Sequence, residues 1–165
     1  MNVLDLPLIR RTRRNHGLEH ATIHVLSGRF PGLPLAGRST PYGFYLYGNV
    51  AANDLASAAD EAMKRMRGGE QQLAIHPGCG TNYLTSGMFA GLAAFAALGV
   101  RARHRWERLP NAIMAATFAL IFSAPVGPML QARVTTSGEM GDLEIISVRA
   151  LPGRVTGHYV ETRSS

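Results

Sequence analysis

Three of the six histidines, His16, His20 and His24, fall within nine residues of one another in the stretch Arg13-Arg14-Asn15-His16-Gly17-Leu18-Glu19-His20-Ala21-Thr22-Ile23-His24-Val25-Leu26-Ser27-Gly28. Residues 16–20 read His-x-x-Glu-His. On a helix His16 and His20 stand one turn apart on one face, a spacing at which two imidazoles converge on one metal ion, and Glu19 lies beside them. Zinc brings the pKa of a bound water down to about 7, and a neighbouring carboxylate then takes its proton. The chemistry implied is metal-assisted hydrolysis, with His16 and His20 as ligands and Glu19 as general base. The competing reading is a helix whose polar face simply carries histidines.

A second chemical locus is His76-Pro77-Gly78-Cys79-Gly80-Thr81-Asn82. Glycines on both sides of Cys79 and a proline after His76 make a tight loop that fixes the direction of a thiolate or an imidazole. Two histidines and one cysteine, with water in the fourth position, form a ligand set that zinc enzymes use, so Cys79 or His76 is the candidate third ligand. Against this stands a turn in which Cys79 is only a buried small hydrophobe.

The histidine segment has helical periodicity. At about 100° per residue, Leu18, Ala21, Thr22, Val25 and Leu26 gather on one side and the histidines on the other. The apolar side is expected to pack on a core and the histidines to look outward, into solvent or into a site, with Asn15 as N-cap and Gly28 followed by Pro31 as the stop. Leu35 to Ser39 and Phe44 to Tyr47 read as a hairpin around Thr40-Pro41-Tyr42-Gly43, with Tyr42, Tyr45 and Tyr47 as sheet-face packing. A second helix is expected from Ala51 to Arg67, with Leu55, Ala58, Ala59, Ala62, Met63 and Met66 inward, Glu61 off that stripe and Gly68-Gly69 at its end. Leu73 to Ile75 reads as a short strand delivering the His76 loop. Leu143 to Ala150 and Arg154 to Thr162, around Pro152-Gly153, read as an antiparallel pair that needs the earlier strands as partners.

The chain has 165 residues, 17% of them charged, and a net charge of +6 carried almost wholly by arginine. The arginines sit in short clusters with little aromatic interleaving, which points away from nucleic acid and toward anionic lipid head groups. The apolar lead Asn2 to Leu8 with Arg10, Arg11, Arg13 and Arg14 would lie along such a surface. A single cysteine excludes an internal disulfide. Met1 to Ile9 is apolar but short and its charges follow rather than precede it, so a secretory signal is not expected there.

Two stretches, Leu84–Val100 and Leu109–Leu130, carry no charge over about 17 and about 22 residues, against the roughly 20 needed to cross a bilayer. They read as a transmembrane hairpin whose loop, Arg101 to Arg108, holds Trp106 as an interfacial anchor, and whose small residues allow close contact. A buried helical hairpin is the alternative. The fold expected is a small α+β domain built from both ends of the chain with a two-helix transmembrane hairpin inserted. Its parts are 1–82 with the metal site, 83–130 as the hairpin, and 131–165 as strands packing back on the first part. The protein is thereby placed in the cell membrane as a multi-pass protein, with the side of its soluble domain open.

Residues 13–27, Ala-Gly-Arg-Ser (36–39), Gly-Phe-Tyr-Leu-Tyr-Gly (43–48) and Leu-Ala-Ile-His-Pro-Gly-Cys-Gly-Thr-Asn (73–82) resemble a bacterial family of small uncharacterised membrane proteins, over most of residues 10–130. That resemblance implies a membrane location and no particular activity. His16, Glu19 and His20 also resemble the motif of the inverzincin metallopeptidases, which implies a glutamate from a later helix, here Glu61, as another candidate ligand. Those enzymes are larger and resemble this chain in nothing else. Two functions are therefore expected, with a membrane adaptor that binds no metal behind them. One is a membrane-anchored zinc hydrolase acting on a peptide or amide bond, with His16, His20 and Cys79 or His76 as ligands and Glu19 as general base. The other is a non-catalytic metal-binding membrane protein, a sensor or assembly factor, whose His24, His76 and Cys79 close the coordination shell.

Overall fold

The computed structural model describes residues 3–99, 105–152 and 156–164. Val100 of the first expected span, Arg101 to His104 of the expected loop, Gly153 of the expected turn, and Arg154 and Val155 of the last expected strand lie outside that range. Among the described residues there are five α-helices and four strands, in two compact units formed by residues 1–76 with 131–165 and by residues 77–130.

The first unit is organised on helix α1, Pro7–Arg29. Its proline at the first turn has no amide hydrogen to leave unsatisfied, so the helix starts there and not at Asn15. Asn15 is fully buried in mid-helix. Its Nδ2 donates to Thr40 O at 2.9 Å, and its Oδ1 accepts the Thr162 hydroxyl at 2.7 Å. The arginines of the apolar lead belong to this helix too. Arg13 donates to Thr136 O and Arg133 O, each at 3.1 Å, and Arg14 pairs with Asp142 at 2.8 Å, so two of the four tie down the returning chain.

Strands β1, Ala36–Thr40, and β2, Gly43–Tyr47, form the hairpin, in register Ala36 with Tyr47 and Thr40 with Gly43. The later strands β3, Glu144–Ala150, and β4, Gly157–Arg163, complete an antiparallel sheet of order β1-β2-β4-β3. β4 pairs with β2 from Gly43–Glu161 to Tyr47–Gly157, which puts Phe44 opposite Val160. Both are fully buried, as are Leu18 and Leu26 of α1 and Leu55 of α2, Ala52–Arg67. Each such side chain contributes about 1.5–3 kcal/mol by leaving water. Alternation sends Tyr45 to the opposite face, where its ring centroid lies 4.8 Å from that of Tyr159 and 6.3 Å from that of Tyr47.

Leu73 to Ile75 is not a strand. Residues Gln71–Ala74 form a 3₁₀ turn, and the carbonyls that follow are taken by histidines of α1 and not by a strand ladder.

The second unit consists of α3, Gly80–Gly99, α4, Arg105–Ser123, and the short α5, Val126–Leu130. α3 packs on α4 and on α5. The expected fold, with an inserted two-helix transmembrane hairpin, does not hold: among the described residues no single helix is long and apolar enough to cross a membrane. One bent pair, Arg108–Ser123 with Val126–Thr135, meets the length and composition requirement together but turns by 47° at its break. The uncharged runs misled because absence of charge is not uniform apolarity. α3 opens on Thr81, Asn82, Thr85 and Ser86, and the 109–130 run is divided at Ala124-Pro125 into separate helices. What the chain presents is a small mixed α/β fold with a four-stranded antiparallel sheet.

Gly17 has a specific packing role. A Cβ added there would lie 2.1 Å from Ser137 O, a backbone atom whose own amide is held by Arg13 O at 2.9 Å. Alanine gains up to about 1 kcal/mol of helix propensity over glycine, but overpacking against fixed backbone costs about 1–3 kcal/mol. Gly17→Ala is therefore expected to lower the urea midpoint, whereas an ordinary exposed helical glycine would raise it. Asn15→Leu leaves Thr40 O and the Thr162 hydroxyl without their buried partner. It is expected to lose about 1–3 kcal/mol in chemical denaturation, although leucine is the more apolar residue.

Candidate metal centre

The middle of α1 is buried on more than one side: Leu18, Ala21 and Leu26 on its apolar face, and His20, at 2% exposure, on the face expected to look outward. The cause is the segment 71–76, which packs along that face and covers it. His20 Nδ1 lies 2.7 Å from Ala74 O, and one helical turn on, His24 Nε2 lies 2.9 Å from Ile75 O. One turn back, His16 Nδ1 lies 2.9 Å from Thr135 O. That carbonyl is presented by the π-helical turn Gln131–Thr135.

A peptide carbonyl can only accept, so the ring nitrogen facing it donates. In a neutral imidazole the lone pair then resides on the other nitrogen, Nε2 in His16 and His20 and Nδ1 in His24. A backbone carbonyl on the far nitrogen is the arrangement by which metal-binding histidines are held in the required tautomer and orientation.

The same segment brings His76 against α1. Its ring centroid lies 5.7 Å from that of His20 and 4.8 Å from that of His24, while His16 and His20 are 4.4 Å apart. Its backbone amide donates to Oε1 of the fully buried Gln131 at 2.9 Å. Burial, followed by the charge of His24 and then of His20, pushes the His76 imidazole down to about 4. At neutral pH the ring is uncharged, the form in which an imidazole binds a metal.

The donor atoms of His16, His20 and Cys79 lie within 4.8 Å of one another, close enough to hold one metal ion. Cys79 is buried, and the chain carries no second cysteine with which it could form a disulfide. The loop following His76 thus supplies the thiol, and the nearer histidine stays within the imidazole row.

Glu19 and Glu61 are placed differently. Glu19 is buried, its Oε2 accepts a short hydrogen bond from the Ser39 hydroxyl, and its Oε1 lies over Gly37, where a Cβ would come within 2.1 Å of it. Its carboxylate is engaged with β1. Glu61 sits on α2 in ion pairs with Arg29 at 2.5 Å and with Arg65 at 3.8 Å, on the surface. The carbonyls of Ala74, Ile75 and Thr135 and the side chain of Gln131 were not legible in the sequence. Three of them are peptide groups that every residue possesses, and Gln131 is marked only as the first strongly polar residue after an uncharged run.

A family model described as a domain of unknown function, DUF6391, matches residues 11–148. An uncharacterised protein of Picosynechococcus sp. is 46% identical over 95 residues, a match covering 52% of this chain and 46% of that protein. The chain therefore spans about half the length of that relative. No solved structure matches it. The matched span includes His16, Glu19, His20, His76 and Cys79 and takes in most of the sequence: the chain belongs to the DUF6391 family, whose domain has no assigned function.

Proposed function

We propose that this protein binds a divalent cation of the zinc class, with His16 Nε2, His20 Nε2 and Cys79 Sγ as ligands, and that the centre serves metal binding, as in a sensor or an assembly factor. The observation that carries the reading is the pair of carbonyls on the far nitrogens of His16 and His20. Two side chains one turn apart are both fixed in the tautomer that offers Nε2, an expenditure of buried hydrogen bonds that a solvated polar face does not need. Mixed imidazole and thiolate donors favour zinc, or cobalt as its spectroscopic substitute, over magnesium or calcium, which take oxygen.

A second reading, a zinc hydrolase acting on a peptide or amide bond, draws support from the donor count. Three protein ligands leave the fourth tetrahedral position to water. It requires Glu19 to act as base on that water, and the Ser39 hydroxyl bonded to its carboxylate argues for a positioning role instead.

Protein stripped of metal and titrated with cobalt is expected to develop a thiolate charge-transfer band that Cys79→Ser removes. His16→Ala and His20→Ala should each weaken cobalt binding by more than about a hundredfold, beyond the loss usual on removing a hydrogen-bond partner of a ligand. Binding of unchanged affinity in both histidine variants would dismiss α1 as the metal-binding element. Glu19→Gln is expected to keep the metal and to lose about 1–3 kcal/mol in urea unfolding, through a weakened hydrogen bond to a charged group. A fully loaded, folded Glu19→Gln protein that loses a metal-dependent hydrolysis by about a hundredfold or more would instead make Glu19 the base and favour the hydrolase.

A further inference from the structure

The geometry points to a second cation site on the same row of imidazoles, held by His24 and His76 and separate from the pair His16 and His20. It rests on the metal-binding reading, because it takes the row to be built for cations.

Spacing comes first. A ligating nitrogen sits about 2.0–2.1 Å from zinc and the ring centroid roughly 1 Å beyond, so two imidazoles on one tetrahedral ion have centroids about 5 Å apart. His24 and His76 stand at 4.8 Å, with ring planes inclined by 64°. His16 and His24 are eight residues apart on α1, about 12 Å along the axis. One ion coordinated by the first is therefore poorly placed to take the second. The row is longer than one coordination sphere, and its far end has a histidine pair of its own.

Orientation follows. His24 Nε2 donates to Ile75 O at 2.9 Å, which leaves Nδ1 as the donor atom and repeats at the second pair the carbonyl support seen at the first. His76 enters from the adjoining segment, with its amide held by Gln131 Oε1 and its backbone restricted by the following proline. Both rings are half-buried, so solvent reaches them and water can fill the remaining positions. Two imidazoles and water suit zinc, cobalt, nickel or copper. With fewer protein donors and no thiolate, this ion is the weaker and more readily exchanged of the two.

The experiment is a titration of metal-stripped full-length protein with cobalt, followed by absorption and calorimetry, with nickel as a second probe. The wild type is expected to take up two equivalents in resolved steps, the tighter one with the thiolate band. His24→Gln, which keeps an amide donor for Ile75 O, should lose the weaker step and retain the tighter one. His16→Gln should do the reverse. His76→Gln should behave as His24→Gln, and should it fail to fold, His24→Gln alone decides. A wild type that binds one equivalent, unaffected by His24→Gln, overturns the second site and leaves the first standing. Loss of all binding in His24→Gln overturns it as well, since that is the behaviour of one shared shell. No cobalt bound by the wild type removes both readings.

Discussion

The hydrogen bond from His20 Nδ1 to Ala74 O, 2.7 Å long and buried, is the contact on which the arrangement of the first unit depends. It joins the middle of α1 to a segment more than fifty residues later. Together with the bond from His24 to Ile75 O it lays that segment along the helix, in register with successive turns. The segment ends in His76, so the contacts that cover the helix also extend the imidazole row. A strand ladder at residues 73–75 would have used the same carbonyls for sheet pairing and left the histidines of α1 facing solvent.

The other sides of α1 show the same economy of polar groups. Asn15 bridges the end of β1 to β4, and Glu19 accepts from Ser39 over the open backbone of Gly37. A buried carboxylate or amide left unpartnered costs several kcal/mol, so these groups constrain where the sheet can sit more sharply than the leucines beside them do. Apolar packing tolerates small slips. A donor opposite a single acceptor does not.

Within the second unit α3 and α4 pack together while Leu92, Phe95, Trp106 and Phe122 remain more than two-thirds exposed. Nevertheless, among the described residues no single helix is long and apolar enough to cross a membrane. Polar residues in the first turns of α3 and the break at Ala124-Pro125 are the reasons, and both are local features that a count of charged residues passes over.

The sequence by itself determined the helical character of residues 16–27, the inward stripe of α2 from Leu55 to Met66, and the hairpin from 36 to 47. Each of these is a local pattern, written in the period of the hydrophobic residues or in turn chemistry. It also marked His16, His20 and Cys79, because ligand type and helical spacing are visible without a fold, and their donor atoms do lie together. Only the tertiary structure decided which nitrogen each imidazole offers, since that depends on carbonyls supplied by Ala74, Ile75 and Thr135 from distant parts of the chain. It decided also that Asn15 is a buried bridge and not a cap, that Glu61 pairs with Arg29, and that the carboxylate of Glu19 is directed at β1. A side chain's rotamer and partners are set by what packs against it, and for these residues that neighbour is at least twenty positions away along the chain.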